Sequence, residues 1–180
     1  DVVVALRSDG FRSNGFSLVR RVMAAAFGPD WHQAPCGHGT WGRVLLTPSR
    51  IYAPLVVDLL HAGVGLTGAA HVTGGGVPRN LARLLRASGL GADLDSLFPP
   101  HPFMGELMRV GQIPAEQAYR LWNMGNGMLL TVPPEGVDAC LEAAATRGYP
   151  ARVAGRVTTD PVIELRTGEG EELAFPGGRQ

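Results

Sequence analysis

The chain has 180 residues, enough to bury one real hydrophobic core as a single domain. Apolar residues make up 45% and charged residues 18%, which excludes a disordered chain, and a formal net charge of zero excludes the basic footprint of a nucleic-acid binder. All sixteen basic residues are arginine, so no lysine can form a Schiff base or serve a phosphate loop, and an anion must be met by arginine or backbone N–H.

The chain starts at Asp1 directly in an apolar run, and Val2 to Leu6 is predicted as a buried strand. A start without lead-in predicts a piece of a longer polypeptide. Arg7 to Arg12 form a polar turn. Ser13 or Asn14 is expected to cap a helix carrying Phe16, Val19, Met23 and Phe27, closed by Gly28-Pro29. Residues 29–43 have no clear period and read as a loop. Thr47-Pro48 predicts a helix to about His61, with Ile51, Leu55, Val56 and Leu59 on one side.

Leu66 to Thr73 reads as a strand, broken by Gly74-Gly75-Gly76. Pro78 then opens a helix through Leu81, Leu84 and Leu85 to Gly89. Two short helices are expected around Phe103 to Arg109 and Pro114 to Trp122. Gly127 to Val132 is a strand, followed by a helix from Glu135 to Arg147 with Gly148 at its αL exit. Strands follow at Ala151 to Val157 and Val162 to Leu165, and the tail holds one weak strand, Glu172 to Phe175, or frays. Strands alternating with helices predict an α/β fold, and the closing run of strands predicts a mixed β-sheet flanked by helices. The domain is expected over residues 1–166, with 167–180 as a tail.

Cys36 and Cys140 form no C-x-x-C pair, which predicts neither a disulfide framework nor a zinc site. His32, His38 and Cys36 share one loop and lack further ligands, so no metal site is predicted. No apolar run approaches the roughly 20 residues of a membrane-spanning helix, and no signal peptide is seen. A cytoplasmic protein without membrane or nucleic-acid partners is expected.

Three segments can carry chemistry. The first is the strand–glycine–helix passage from His71 to Asn80. Gly74, Gly75 and Gly76 let the backbone approach a ligand, and the helix behind them aims its free N–H groups at the turn, which suits a phosphate. Thr73, Arg79 and Asn80 can add polar contacts, and His71 stands beside the turn either as a structural residue or as a catalytic contact. A plain tight turn remains the alternative. The second is Ser8 to Gly15, where Arg12, Ser13 and Asn14 suit a polar ligand, or form an ordinary capped turn. The third is Trp122 to Met128, by default a turn into a strand, where Asn123, Gly125 and Gly127 are alternatively expected to line a cleft.

Together these segments resemble the C-terminal domain of the phosphoribosylformylglycinamidine cyclo-ligase (AIR synthetase) family. The resemblance lies in Ser8-x-Gly10-x-x-Ser13-Asn14-Gly15, Leu46-Thr47-Pro48-Ser49-Arg50-Ile51-Tyr52, Ala70-His71-Val72-Thr73-Gly74-Gly75-Gly76 with Asn80 and Arg83 beyond, and Tyr119-Arg120 with Asn123-x-Gly125-x-Gly127-Met128. Order and spacing agree over about residues 1–158. Arg12 stands where the family pattern has His, Ala118, Leu121, Trp122 and Met124 where it has Met, Thr, Phe and Cys, and Asn126 where it has a small apolar residue.

The resemblance implies an AIR synthetase C-terminal domain-like fold and one half of an ATP-dependent ligase of purine biosynthesis. In that family ATP and Mg²⁺ phosphorylate the formamide oxygen of formylglycinamidine ribonucleotide. An internal nitrogen then closes the aminoimidazole ring and phosphate leaves. The family's Asp-Gly-Val-Gly-Thr-Lys nucleotide motif belongs to an N-terminal domain absent from this sequence, so this chain is expected to hold no cofactor of its own and to be inactive without that partner. The full-length enzyme is expected to be a homodimer. Under this resemblance His71 is the catalytic candidate. Gly74, Gly75, Gly76, Thr73, Arg79, Asn80, Arg12, Ser13 and Asn14 are the candidates for the phosphoribosyl substrate. The alternatives are the same domain in another member of the superfamily (formylglycinamidine ribonucleotide synthase, selenophosphate synthetase, thiamine-phosphate kinase) or a non-catalytic binding module.

Overall fold

Burial along the first strand dictates where the sheet lies. In β1 (Val2–Arg7), Val3 and Ala5 belong to one apolar cluster and Val4 and Leu6 to another, and none of the four is exposed. A strand covered on both faces must sit inside a sheet between two helical layers. The computed structural model, which describes residues 1–37 and 39–177, has this arrangement.

After β1 come α1 (Phe16–Phe27), a short hairpin of β2 (Pro35–Cys36) and β3 (Gly39–Thr40), α2 (Trp41–Leu45) and α3 (Ala53–His61). Then follow β4 (Gly68–His71), α4 (Gly76–Leu85), β5 (Gly91–Leu94), α5 (Pro102–Gly111) and α6 (Ala115–Leu121). The chain continues through β6 (Asn126–Val132), α7 (Val137–Thr146), β7 (Ala151–Thr158), β8 (Val162–Arg166) and β9 (Glu172–Pro176). Seven strands form one sheet in the order β4-β6-β1-β7-β5-β8-β9. Every pairing is antiparallel except β5 with β8, so the sheet is mixed. Leu55 and Leu59 of α3 and Cys140 and Ala144 of α7 cover one face with Val4 and Leu6. Residues of α1, α2, α4, α5 and α6 cover the other with Val3 and Ala5.

Several local expectations need correction. Neither Ser13 nor Asn14 caps α1. Its N-cap is Gly15 in the left-handed region, with no side-chain cap bond. Residues 29–43 are not one loop: α2 begins inside them, and its Trp41 is fully buried. The second predicted helix starts at Ala53 rather than after Thr47. Arg50 explains the delay. Its guanidinium donates to both carboxylate oxygens of Asp9 (2.9 and 3.2 Å) and to the Gly148 carbonyl (2.8 Å), which ties this stretch to β1's exit. Ile51, expected on the helix's buried side, is 72% exposed as a result. Helix α4 starts at Gly76, before Pro78. The strand β5 was not expected from sequence, although Ala92 and Leu94 are core residues and it joins β7 to β8. Strand β9 pairs along its length with β8, and Phe175 is 2% exposed.

Cys36 and Cys140 are both free and buried. His38, named above with His32 and Cys36, lies outside the described residues. Among the described residues no three His, Cys, Asp or Glu side chains gather to hold a metal ion, and no helix is long and apolar enough to cross a membrane.

Candidate functional site

Sheet topology brings the three polar segments together. β1 and β4 each run antiparallel to β6. Their carboxyl ends and the amino end of β6 therefore share one end of the sheet. The turn after β1 (Ser8 to Gly15), the turn after β4 (Val72 to Gly75) and the entry to β6 (Asn123 to Gly127) meet there.

Arg12 knits them. Its backbone is left-handed, with φ 63°. From Nη1 its guanidinium donates to the carbonyls of Val72 (3.1 Å) and Gly127 (2.8 Å), and from Nη2 to Nε2 of His71. It also lies over the ring of Tyr52, 5.7 Å from the centroid. Burial pushes the Arg12 pKa below its ordinary value, and the nearby Tyr52 hydroxyl opposes the shift. A guanidinium can only donate, which favours the neutral His71 imidazole with Nε2 as acceptor. The His71 pKa is lowered accordingly, first by burial and then by the charge of Arg12.

Tyr52 was singled out only as part of a motif, yet it braces this corner. Its hydroxyl donates to the Arg7 carbonyl at 2.7 Å, and its ring meets His71 edge-on at 6.2 Å. Burial is the main cause of its pKa rising to about 12. The sequence signal was a tyrosine two positions after Arg50, but nothing local tied it to residues 7, 12 and 71.

The glycine turn is a helix entry with a built support. Gly75 is the N-cap at φ 100° and Gly76 follows at φ 63°, both in the left-handed region that favours glycine. A Cβ on Gly76 would overlap the Tyr119 carbonyl oxygen, so α6 closes directly over the turn. The Gly76 N–H donates to the Thr73 carbonyl at 3.0 Å. Among the described residues, no backbone acceptor takes the N–H of Gly74 or Gly75. Gly74 is exposed, and a Cβ built on it would lie 3.3 Å from Oδ1 of Asn14. The two turns thus face each other across a narrow gap, with Ser13 exposed beside them.

Other candidates turn inward. Asn80 is 4% exposed. Its amide donates to the carbonyls of Gly76 (2.7 Å) and Thr73 (3.3 Å), and its Oδ1 accepts from the Thr73 hydroxyl at 3.2 Å. It holds the turn's shape. Asn123 is 3% exposed, donates to the Gly10 carbonyl at 2.8 Å and accepts from the Gly125 N–H at 2.9 Å. Gly125 and Gly127 are buried with it. These three were expected to line a cleft; instead they are buried, Asn123 bonded to Gly10 and Gly125, Gly125 packed against the Pro99 carbonyl and Gly127 against the Tyr52 hydroxyl. Trp122 is likewise a core residue with no exposure, its indole packed where a Cβ on Gly15 would fall. Arg79 is exposed and bends back over Gly75. The elements left at the surface are therefore Arg12, Ser13, Asn14, His71, Thr73, Gly74, Gly75 and Arg79.

The family model described as AIR synthase related protein, C-terminal domain, matches residues 1–168. The phosphoribosylformylglycinamidine cyclo-ligase of Bifidobacterium longum subsp. infantis is 38% identical over 163 residues, covering 89% of this chain and 47% of that protein. The protein of the same name from Gloeobacter violaceus is 41% identical over 150 residues, covering 82% of this chain and 44% of its own length. The chain thus spans about half the length of these relatives. Among solved structures, T. maritima PurL complexed with FGAR aligns with 97% of this chain and 27% of its own, at a TM-score of 0.59 and 15% identity, a likeness of fold alone.

Proposed function

The chain belongs to the AIR synthase related protein, C-terminal domain family, and on that premise we propose that it forms the substrate-facing half of a phosphoribosylformylglycinamidine cyclo-ligase. The observation that carries the proposal is the meeting of three family motifs at one end of the sheet, with Arg12 bonded to all three: through its own turn, through His71 and Val72, and through Gly127. In this reading the N–H groups of Gly74 and Gly75 receive the phosphate of the ribonucleotide, at a helix N-terminus whose dipole favours an anion. Arg79 adds a cation and Asn14 faces the bound molecule from the opposite turn. Asn80 and Thr73 keep the turn's geometry. Neutral His71 keeps its Nδ1–H for a substrate oxygen or nitrogen, while Arg12 fixes the ring.

In this reading ATP and Mg²⁺ are held outside this chain. No metal-holding cluster exists among the described residues and no lysine is available for a nucleotide loop. No step on this chain is routed through them; a separate nucleotide-binding domain would hold both, and the complete enzyme would be a homodimer working in the cytoplasm. Val57 and Leu60 on α3 and Leu46 and Ile51 before it, 47%, 58%, 80% and 72% exposed, support a surface covered in a larger assembly.

The test is crystallographic and calorimetric. Crystals soaked in formylglycinamidine ribonucleotide should show its phosphate at Gly74 and Gly75, and titration should show binding lost in Gly74→Asp. Density remote from this turn would overturn the site. Ring closure catalysed by the 180-residue chain alone would overturn the half-enzyme assignment.

A further inference from the structure

The second half of α5, the start of α6 and the turn that joins β8 to β9 enclose a cavity of about 470 Å³. Small-molecule sites span about 300–1,000 Å³, so the volume suits a ligand. Its apolar wall is built of Met108, Ile113, Pro114 and Met124, with Tyr119 beside them. Charged residues line it from two sides: Arg109 from the last turn of α5, and Glu169 and Glu171 from the β8–β9 turn. Among the described residues none of these three belongs to an ion pair.

Helix physics accounts for Arg109, since the dipole favours a cation at a helix carboxyl end. It does not account for opposite charges that line one cavity and stay apart. The β8–β9 turn is held open by its own bonds. The Thr167 N–H donates to the Glu171 carbonyl (2.8 Å), the Gly170 N–H to the Thr167 carbonyl (3.0 Å) and the Glu171 N–H to the Thr167 hydroxyl (3.1 Å). The Gly168 N–H donates to the Tyr119 hydroxyl. Burial, with the charges of Glu169 and Glu171 added, raises the Tyr119 pKa to about 12 against the effect of the Gly168 bond. Both carboxylates therefore act on the Tyr119 end of the cavity. Two lining residues, Gln112 and the fully buried Met124, are held at left-handed φ of 50° and 45°. Such backbone strain persists only where the surrounding structure imposes it, and it clusters at ligand sites.

We propose that this cavity binds a free amino acid with an apolar side chain. Glu169 and Glu171 take the ammonium group. Arg109 takes the carboxylate, whose two oxygens match a guanidinium fork. Met108, Met124 and Ile113 take the side chain, and the unbranched thioethers adapt to different apolar shapes. Two carboxylates against one guanidinium leave an excess of negative charge, so a ligand without an ammonium group is disfavoured. Tyr119 borders this cavity and also meets Gly76 through its carbonyl, but no residue of the glycine turn lines the cavity. The site is independent of the ribonucleotide reading.

The experiment titrates the 180-residue chain with L-methionine, L-leucine and L-phenylalanine, by calorimetry and by amide chemical shifts. At least one should bind saturably at one site, with shifts at Ala115, Tyr119, Gly168 and Glu169. Two derivatives of the tightest binder each remove one charge: the N-acetyl compound lacks the ammonium and the amino alcohol lacks the carboxylate. Each should bind about tenfold more weakly or worse, the expected loss for a charge-assisted bond. The double variant Glu169→Gln/Glu171→Gln alters exposed side chains on a turn held by backbone and Thr167 bonds, so it should keep the native circular dichroism. It should weaken the amino acid about tenfold, while the N-acetyl compound, with no ammonium to lose, keeps its affinity. Arg109→Gln gives a second, separate reading and should bring the amino acid down to the level of its amino alcohol. No saturable binding by any of the three amino acids, or unchanged affinity in either variant, would overturn the proposal. Equal binding of the amino acid and both derivatives would overturn it too, as would shifts confined to Asn14, Gly74 and Gly75, which would leave the ribonucleotide reading intact.

Discussion

The turns after β1 and after β4 are built alike and used differently. Each leads from a sheet strand into a helix whose N-cap is a left-handed glycine without a side-chain cap, Gly15 in one and Gly75 in the other. Each is closed by the end of α6, the first by the Trp122 indole and the second by the Tyr119 carbonyl. The first turn then engages its arginine internally, since Arg12 reaches Val72, Gly127 and His71. The second leaves backbone donors at Gly74 and Gly75 and an arginine at the surface. The β1 turn supports its neighbours, and the β4 turn presents the donors proposed above to meet a phosphate.

The comparison is broken most severely at the closure by α6. Gly76→Ala puts a Cβ into a backbone carbonyl at positive φ, and should destabilise the chain by about 4 kcal/mol in urea unfolding. Gly15→Ala meets the edge of an indole that can shift, so about half that loss is expected. Equal losses would show that α6 does not distinguish the two turns.

Asn80→Ala tests the internal support of the second turn. Removing its amide takes one donor from the Gly76 carbonyl and one from the Thr73 carbonyl, which keeps the Gly76 N–H, and leaves the Thr73 hydroxyl without its acceptor, at a cost of about 2 kcal/mol. Amide exchange at Gly74 to Val77 should accelerate more than in the rest of α4. Tyr52→Phe removes one bond to the Arg7 carbonyl and should cost about 1 kcal/mol. The native Tyr52 pKa is raised from 10.0 to about 12, so its contribution is complete below pH 10 and is lost as pH rises through about 12. The phenylalanine variant should lack that alkaline loss.

The gentlest probe is the His71 titration. Its folded pKa lies below the ordinary 6.5, so the unfolded chain binds the proton more readily. Stability from this group is present above pH 6.5 and declines as pH falls from there through the folded pKa. Arg12→Ala removes the repelling charge and opens the pocket to water. The His71 imidazole should then titrate upward, towards 6.5, in proton NMR. A downward or absent shift would show that Arg12 does not set the imidazole's charge.

Legibility in the sequence followed the range of the forces involved. β1 and β6 were visible because strands buried on both faces read as continuous apolar runs. β5 was not, because Gly91-Ala92-Asp93-Leu94 has little β preference of its own and is held by neighbours on both sides. Thr47-Pro48 carries a helix-start pattern, but the Arg50–Asp9 pair holds the following residues to another strand. At the site, His71, Arg12 and the Gly74–Gly75 turn were found as residues. The inward roles of Asn80 and Asn123 were not, since an exposed and a buried asparagine look the same in a sequence.

The sequence by itself determined the family, the mixed α/β layering and the three polar segments, because apolar periodicity and ordered motifs are properties of the chain read along its length. Only the tertiary structure decided which of those polar residues face outward, that Arg12 ties the three segments at one end of the sheet, and that Arg109 of α5 and the carboxylates of the β8–β9 turn border one cavity. Those outcomes depend on strand direction and on helices closing over turns, through contacts such as that between Arg12 and Gly127, 115 positions apart, which local sequence does not encode.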